Sequence, residues 1–176
     1  MKLPSFLPGA ALAAALAVAG AAHADDTVAN INLGGNADGT LSAPFGVTHL
    51  ETGAFTDTFN FSPSAGMWFV DSIIVTIGFQ PLSNIDFNSA TINGHDMTLT
   101  AHGVFEYGWL VNEPILGPLV LTVLGDVTGP VGGASASYSG TINISAIPEP
   151  ETYGMLLAGL AILGWLSRRK PQSGEI

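Results

Sequence analysis

Short segments in which apolar and polar residues alternate follow one another along most of this chain, and this period of two restricts its fold more than any other feature. Residues 55–61 read FTDTFNF, and residues 96–101 and 137–145 follow the same pattern. Turn-forming sequences separate the segments, and Asn93-Gly94 between two of them predicts a tight hairpin turn of the primed type. Alternation with β-branched and aromatic residues predicts strands. About eight to ten short strands predict an all-β fold, an antiparallel β-sandwich of the jelly-roll or immunoglobulin-like type.

The N-terminal end of the chain has the composition of a targeting segment. Residues 1–24 contain Lys2, an apolar run over residues 10–22, and then Ala22-His23-Ala24. This small-x-small sequence is the form that signal peptidase accepts. The sequence therefore predicts an N-terminal signal peptide at 1–24, and Asp25 as the first residue of the exported protein.

The C-terminal end joins an apolar segment to a basic one. Residues 153–166 contain no charged residue, and Arg168, Arg169 and Lys170 follow almost directly. This order predicts a single membrane helix at 153–166 with a basic stop, and it places the tail at 171–176 in the cytoplasm. At about 1.5 Å per residue, the helix is shorter than a bilayer core of about 30 Å. The short span favours a temporary anchor in the inner membrane.

The body between these ends, residues 25–147, has no permanent positive charge. Every Lys and Arg of the chain lies outside it, whereas it contains eleven acidic residues. Without Lys or Arg the body cannot neutralise phosphate groups, so the sequence excludes nucleic acid as a partner. The chain also has no cysteine, which excludes disulfides, thiol catalysis and zinc sites built from cysteine.

The C-terminal sequence resembles the sorting signal of PEP-CTERM proteins. The resemblance covers residues 148–170 and rests on Pro148-Glu149-Pro150, the apolar helix, and the basic residues that follow it. It implies a Gram-negative bacterium that makes extracellular polysaccharide, and an exosortase, a membrane-embedded cysteine protease, that cuts near Pro-Glu-Pro. Delivery to the cell surface or to the polysaccharide matrix of a biofilm would follow. The tail at 171–176 is longer than is usual in that family.

The segment FTDTFNF resembles the F-x-D-x-F signature of a subgroup of these proteins, through Phe55, Asp57 and Phe59. The resemblance implies no enzymatic activity for the body. In a strand these residues share one face with Phe61, so a carboxylate lies among aromatic rings. A buried carboxylate needs partners, and three remain open for Asp57. These are backbone N–H groups, water at an exposed strand end, and a Ca²⁺ ion.

Calcium is the one cofactor for which the sequence offers candidate ligands, and no firm metal site is predicted. The candidates are the carboxylates of Asp57, Asp38 and Asp86, none of which lies in a known calcium-binding spacing. Three histidines remain in the body, and we expect them to be solvated loop residues rather than metal ligands. They are His49, His95 and His102.

The sequence predicts no catalytic residue. It contains no G-x-S-x-G motif, and nothing sets the separation of Glu106 and Glu113 as a glycosidase pair. Four aromatic residues fit either a sugar-binding surface or a core: Trp68, Phe69, Tyr107 and Trp109. The leading prediction is therefore a non-enzymatic exported protein sorted by an exosortase. The alternatives are a calcium-assisted carbohydrate-binding β-sandwich and a secreted hydrolase.

Overall fold

A computed structural model of the chain describes residues 24–78, 83–130, 134–147 and 150–168. Within these residues the chain forms eleven strands and one helix. The elements are β1 (Val28–Asn32), β2 (Gly34–Gly35), β3 (Leu41–His49), β4 (Gly53–Ser62), β5 (Met67–Gly78), β6 (Asn84–Ile92), β7 (His95–Asp96), β8 (Thr98–Leu99), β9 (Tyr107–Leu116), β10 (Val120–Thr128), β11 (Ala136–Ala146) and α1 (Pro150–Ser167). Most of the predicted signal peptide lies outside the described residues.

The strands form two sheets. The order is β1-β4-β10-β6-β7 in the first sheet and β2-β3-β11-β5-β9-β8 in the second. All pairs are antiparallel except β1 and β4, which are parallel. The parallel pair arises because the chain leaves the first sheet for β2 and β3 before it returns as β4. The prediction of an all-β body with mainly antiparallel strands is confirmed.

The core lies between the two sheets and is built from the inward residues of each strand. Phe45 of β3, in the second sheet, lies 5.0 Å from Phe59 of β4, in the first, measured between ring centroids. Phe61 meets the same Phe45 ring edge-on at 5.8 Å. Burying each such ring removes apolar surface from water and stabilises the fold by about 1.5–3 kcal/mol. The alternation seen in the sequence therefore corresponds to an inward and an outward face.

The turn at Asn93-Gly94 connects β6 to β7. Both residues have a positive φ, 50° at Asn93 and 82° at Gly94, as a tight hairpin turn of the primed type requires. Asn93 also donates through its side-chain amide to the carbonyls of Leu116 and Pro118. The predicted tight hairpin is confirmed.

The helix α1 follows the last strand and begins with the polar sequence Pro-Glu-Thr. Its residues from 153 onward are exposed. Among the described residues, no helix is both long and apolar enough to cross a membrane. This finding corrects the prediction of a membrane-spanning helix at 153–166. That prediction counted only the apolar residues and left out the polar first turn, which belongs to the same helix.

Candidate functional site

The aspartate of FTDTFNF lies at the centre of the protein. Along β4 the side chains of Phe55, Asp57, Phe59 and Phe61 all point inward, and Asp57 is 0% exposed. The predicted common face is therefore confirmed, and an exposed strand end is excluded for Asp57. A buried carboxylate is tolerated only where donors surround it.

Three donors converge on the Asp57 carboxylate. The backbone N–H of Thr27 donates to Oδ1 at 2.8 Å. The Tyr138 hydroxyl donates to Oδ2 at 2.5 Å, and the His49 ring nitrogen Nε2 lies 3.0 Å from the same oxygen. The His49 ring donates in this contact when its proton is on Nε2, because an ionised carboxylate only accepts hydrogen bonds. We call these four residues the Asp57 cluster.

The Asp57 cluster joins the two sheets. Asp57 belongs to β4 in the first sheet, whereas His49 ends β3 and Tyr138 lies on β11, both in the second. Thr27 lies just before β1 and fastens the N-terminal segment to β4. Each donor comes from a different part of the chain, so the cluster forms only when all of these elements are in place.

Aromatic rings enclose the Asp57 cluster. The His49 ring stacks on Phe55 with centroids 4.2 Å apart, and the Tyr138 ring meets Phe59 edge-on at 6.3 Å. Burial raises the pKa of the Tyr138 phenol, and the Asp57 carboxylate raises it further. The phenol therefore keeps its proton and acts only as a donor.

The Asp57 cluster is a structural clip rather than an exposed reactive centre. His49 is 1% exposed, so no substrate reaches its ring. The expectation that His49 is a solvated loop residue is therefore wrong, because the strand β3 continues to His49 and turns its ring inward. Its Nδ1 atom is buried and has no hydrogen-bond partner among the described residues.

Glu106 is a second buried carboxylate, and it lies just before β9. Its Oε2 atom accepts the Phe87 N–H and its Oε1 atom accepts the Gly103 N–H, both at 2.8 Å. Burial raises the pKa of Glu106, and the neighbouring Asp86 carboxyl adds to this rise, while the two backbone donors act in the opposite direction. Glu106 therefore fastens the loop before β9 to β6.

We expect Glu106 to contribute stability at acidic pH that is lost toward neutral pH. Because its folded-state pKa lies above the ordinary value of 4.5, the folded chain binds the proton more tightly than the unfolded chain. The contribution is fully present below the unfolded pKa and disappears as the pH rises through the folded pKa. Thermal melts between about pH 4 and pH 7 should show that Glu106→Gln has lost this part of the pH dependence.

A matched control for this prediction is Glu51→Gln, because Glu51 is an exposed glutamate in the turn between β3 and β4. It should keep the pH dependence of the wild type. If Glu106→Gln follows the wild-type curve as closely as the control does, the linkage to Glu106 is wrong.

Glu106 and Glu113 do not form a glycosidase pair. Glu106 precedes β9 and Glu113 lies near its far end, which at about 3.3 Å per residue separates them by roughly 20 Å. The two carboxylates of a glycosidase are about 5 to 10 Å apart. Glu113 is instead 2.9 Å from the half-exposed His95 ring.

The three candidate calcium ligands lie apart and accept hydrogen bonds from the protein. Asp38 accepts from the hydroxyl of Thr40 at 2.7 Å and from its N–H at 3.0 Å, which lowers the pKa of Asp38. Asp86 accepts from the Asn84 amide at 2.7 Å, and Asp57 lies in its own cluster. In the described part of the chain, no three His, Asp or Glu side chains form a group that could hold a metal ion.

The four aromatic residues that fit either a sugar-binding surface or a core lie on different faces of the second sheet. Trp68 packs against the core, and its Nε1–H donates to the Ser64 carbonyl at 3.1 Å. Phe69 is half-buried. Tyr107 and Trp109 point outward from β9 and are 49% and 36% exposed. The surface role thus remains available to Tyr107 and Trp109.

The C-terminal segment is the part of the chain that matches a known sequence family. The family model of the PEP-CTERM protein-sorting motif matches residues 146–170. The chain carries a PEP-CTERM sorting motif. No curated protein matches the chain.

One solved structure similar to this chain is PliG of Aeromonas hydrophila, a periplasmic lysozyme inhibitor of g-type lysozyme. The two are 15% identical, the likeness covers 69% of this chain and 100% of that one, and the TM-score is 0.31. A TM-score this low establishes neither a shared fold nor a shared function.

The PEP-CTERM motif begins where β11 ends and includes α1. Pro150 is the first residue of α1, a position that favours proline because its missing N–H is not needed there. Arg168 lies in the turn after the helix. Four other residues of the motif lie outside the described residues: Pro148, Glu149, Arg169 and Lys170. Membership of the F-x-D-x-F subgroup stays a prediction.

The predicted signal-peptidase site lies at the start of the described chain. Ala22 is outside the described residues. Ala24 is buried, and its N–H donates to the Ala54 carbonyl at 2.9 Å, while Asp25 is exposed. The cleavage position stays a prediction.

Proposed function

We propose that this protein is a non-enzymatic β-sandwich that is exported, sorted by an exosortase, and delivered to the cell surface or the extracellular polysaccharide matrix. Signal peptidase removes residues 1–24 first. The observation that carries the proposal is the PEP-CTERM motif at 146–170. An exosortase is the processing partner that this motif implies.

The position of the motif supports this order of events. The last strand, β11, ends at Ala146, before Pro148-Glu149-Pro150 in the sequence. Cleavage near these residues removes α1 and leaves all eleven described strands on the released side. The C-terminal cut therefore leaves every strand of the core in the sorted product.

A binding or scaffolding role for the body is supported over catalysis. The buried Asp57–His49 pair is closed to substrates, with exposures of 0% and 1%. Glu106 is 1% exposed and holds a loop through two backbone donors. Both groups have the surroundings of residues that stabilise the fold.

We expect the protein recovered from the extracellular fraction to be trimmed at both ends. Its intact mass should correspond to a chain that begins at Asp25 and ends near residues 148–151, because the exosortase cuts beside the Pro-Glu-Pro sequence. Replacing Pro148, Glu149 and Pro150 with alanine should abolish the trimmed C-terminus. Intact-mass spectrometry of the wild type and the variant, each in cells with and without the exosortase, makes the measurement.

The control replaces Pro171, Gln172 and Ser173 with alanine. These residues lie beyond the matched motif, so this variant should be trimmed like the wild type. A wild-type protein that still extends through Ile176 in cells with the exosortase would contradict the proposal.

A further inference from the structure

The outer face of the second sheet changes its chemistry from one side to the other. On β3 and β11 the outward residues are mainly small or hydroxylated, such as Thr48, Ser139 and Thr141. On β5 and β9 they are mostly apolar or aromatic, with Asp71 as an exception. The central ones are well exposed: Ile73 (50%), Val75 (39%), Tyr107 (49%) and Trp109 (36%). We call these four residues the outer aromatic face.

The register of the strands makes this face continuous. Ile73 is the pairing partner of Trp109, and Val75 is the partner of Tyr107. The Tyr107 and Trp109 rings are 5.4 Å apart between centroids and inclined by only 29°. The two rings therefore stack on each other beside the two aliphatic side chains, and each keeps part of its surface exposed. A contiguous exposed apolar patch on a folded protein marks an interaction site.

Hydroxyl groups border the outer aromatic face on both sides. Thr98 on β8 is the pairing partner of Trp109. On the opposite side, Thr141 and Ser139 of β11 pair with Ile73 and Val75. With strands about 4.8 Å apart, the strip from β8 to β11 is about 14 Å wide. Flat rings flanked by uncharged donors and acceptors match a ligand that is itself apolar on one face and hydroxylated at its edge.

The charge of the body decides which ligand of this kind fits. Residues 25–147 contain no Lys or Arg and eleven acids, so the body repels acidic polysaccharides and anionic lipid surfaces. The four residues of the face are themselves uncharged. The complementary partner is an uncharged polymer whose rings stack on aromatic side chains and whose hydroxyls bond to Ser and Thr.

We propose that the outer aromatic face binds an uncharged polysaccharide, with Tyr107 and Trp109 stacking on its sugar rings. This inference deepens the proposed function, on which it rests, by naming the partner class that the delivered protein holds. It requires no metal ion.

The test measures binding of the purified full chain to insoluble cellulose, chitin and β-1,3-glucan, with alginate as the acidic polysaccharide. We expect binding to at least one uncharged polymer and none to alginate. Trp109→Ala and Tyr107→Ala should each weaken this binding about tenfold, and Trp109→Phe should keep part of it. Each variant should melt within a few degrees of the wild type, because the rings lie on the surface.

The matched control is Trp165→Ala, which removes an exposed tryptophan from α1 instead of the sheet and should leave binding unchanged. Absence of binding to every uncharged polymer by the folded chain would overturn the proposal, and so would equal binding to alginate. A concentration-dependent dimer that Trp109→Ala abolishes would overturn it too, since the face would then join two copies. The sorting proposal is tested separately, by the intact mass of the protein recovered from cells with and without the exosortase.

Discussion

Replacing Asp57 with alanine should lower the free energy of unfolding by about 3–5 kcal/mol. The substitution leaves three donors without an acceptor in the core, from Thr27, His49 and Tyr138. It also removes the side chain that links β4 of the first sheet to the second sheet and to the N-terminal segment. Urea denaturation of the purified chain, analysed for midpoint and slope, gives the change directly.

The control for this prediction is Asp96→Ala, the same chemical change at an exposed position on the edge strand β7. It should change the stability by no more than about 0.5 kcal/mol. Equal stability of the two variants would show that the Asp57 cluster does not stabilise the fold. Calcium should not raise the melting temperature of either variant or of the wild type. A rise confined to chains that keep Asp57 would instead assign this residue to a metal site.

Gly140→Ala should be the second strongly destabilising change, by about 3 kcal/mol or more. A Cβ atom at Gly140 would lie 2.4 Å from the Ile73 carbonyl oxygen and 2.4 Å from the Phe45 ring. Neither neighbour can move easily, because one is the backbone of β5 and the other is packed in the core. The thermal melting temperature and the unfolding free energy should both fall.

A strand glycine with room for a side chain is the matched control. At Gly34 the added Cβ would lie 3.7 Å from the Ser42 carbonyl, an ordinary contact. Gly34→Ala should therefore be neutral or stabilising by up to about 1 kcal/mol, since alanine loses less backbone entropy on folding. If Gly140→Ala is as stable as this control, the close approach of β11 to β5 is not required for the stability of the fold.

The alternating pattern predicted much of the fold. It identified strands at 55–61 and 137–145, and the turn residues identified the tight turn at Asn93-Gly94. It was wrong for 96–101, where the chain passes from β7 in the first sheet to β8 in the second. It failed for His49, which was expected in a solvated loop although β3 continues to this residue. It also did not predict the parallel pairing of β1 and β4. Alternation describes one strand at a time, and it contains no information about which strand lies beside it.

The C-terminal helix was only partly predicted. Its apolar residues and its position after Pro-Glu-Pro were clear from the sequence. In the structure the helix is Pro150–Ser167 and includes a polar first turn. No helix in the described chain is both long and apolar enough to span a membrane.

The sequence by itself determined the sorting motif and the strand face that Asp57 shares with Phe55, Phe59 and Phe61. Both depend on neighbouring residues, since a contiguous peptide carries the motif and the period of two of a strand sets the face. Only the tertiary structure decided what Asp57 contacts. Its donor Tyr138 is 81 residues away in the sequence, and they meet because β11 lies opposite β4 across the core. The sheet packing likewise decided that Trp68 faces inward and Trp109 faces solvent.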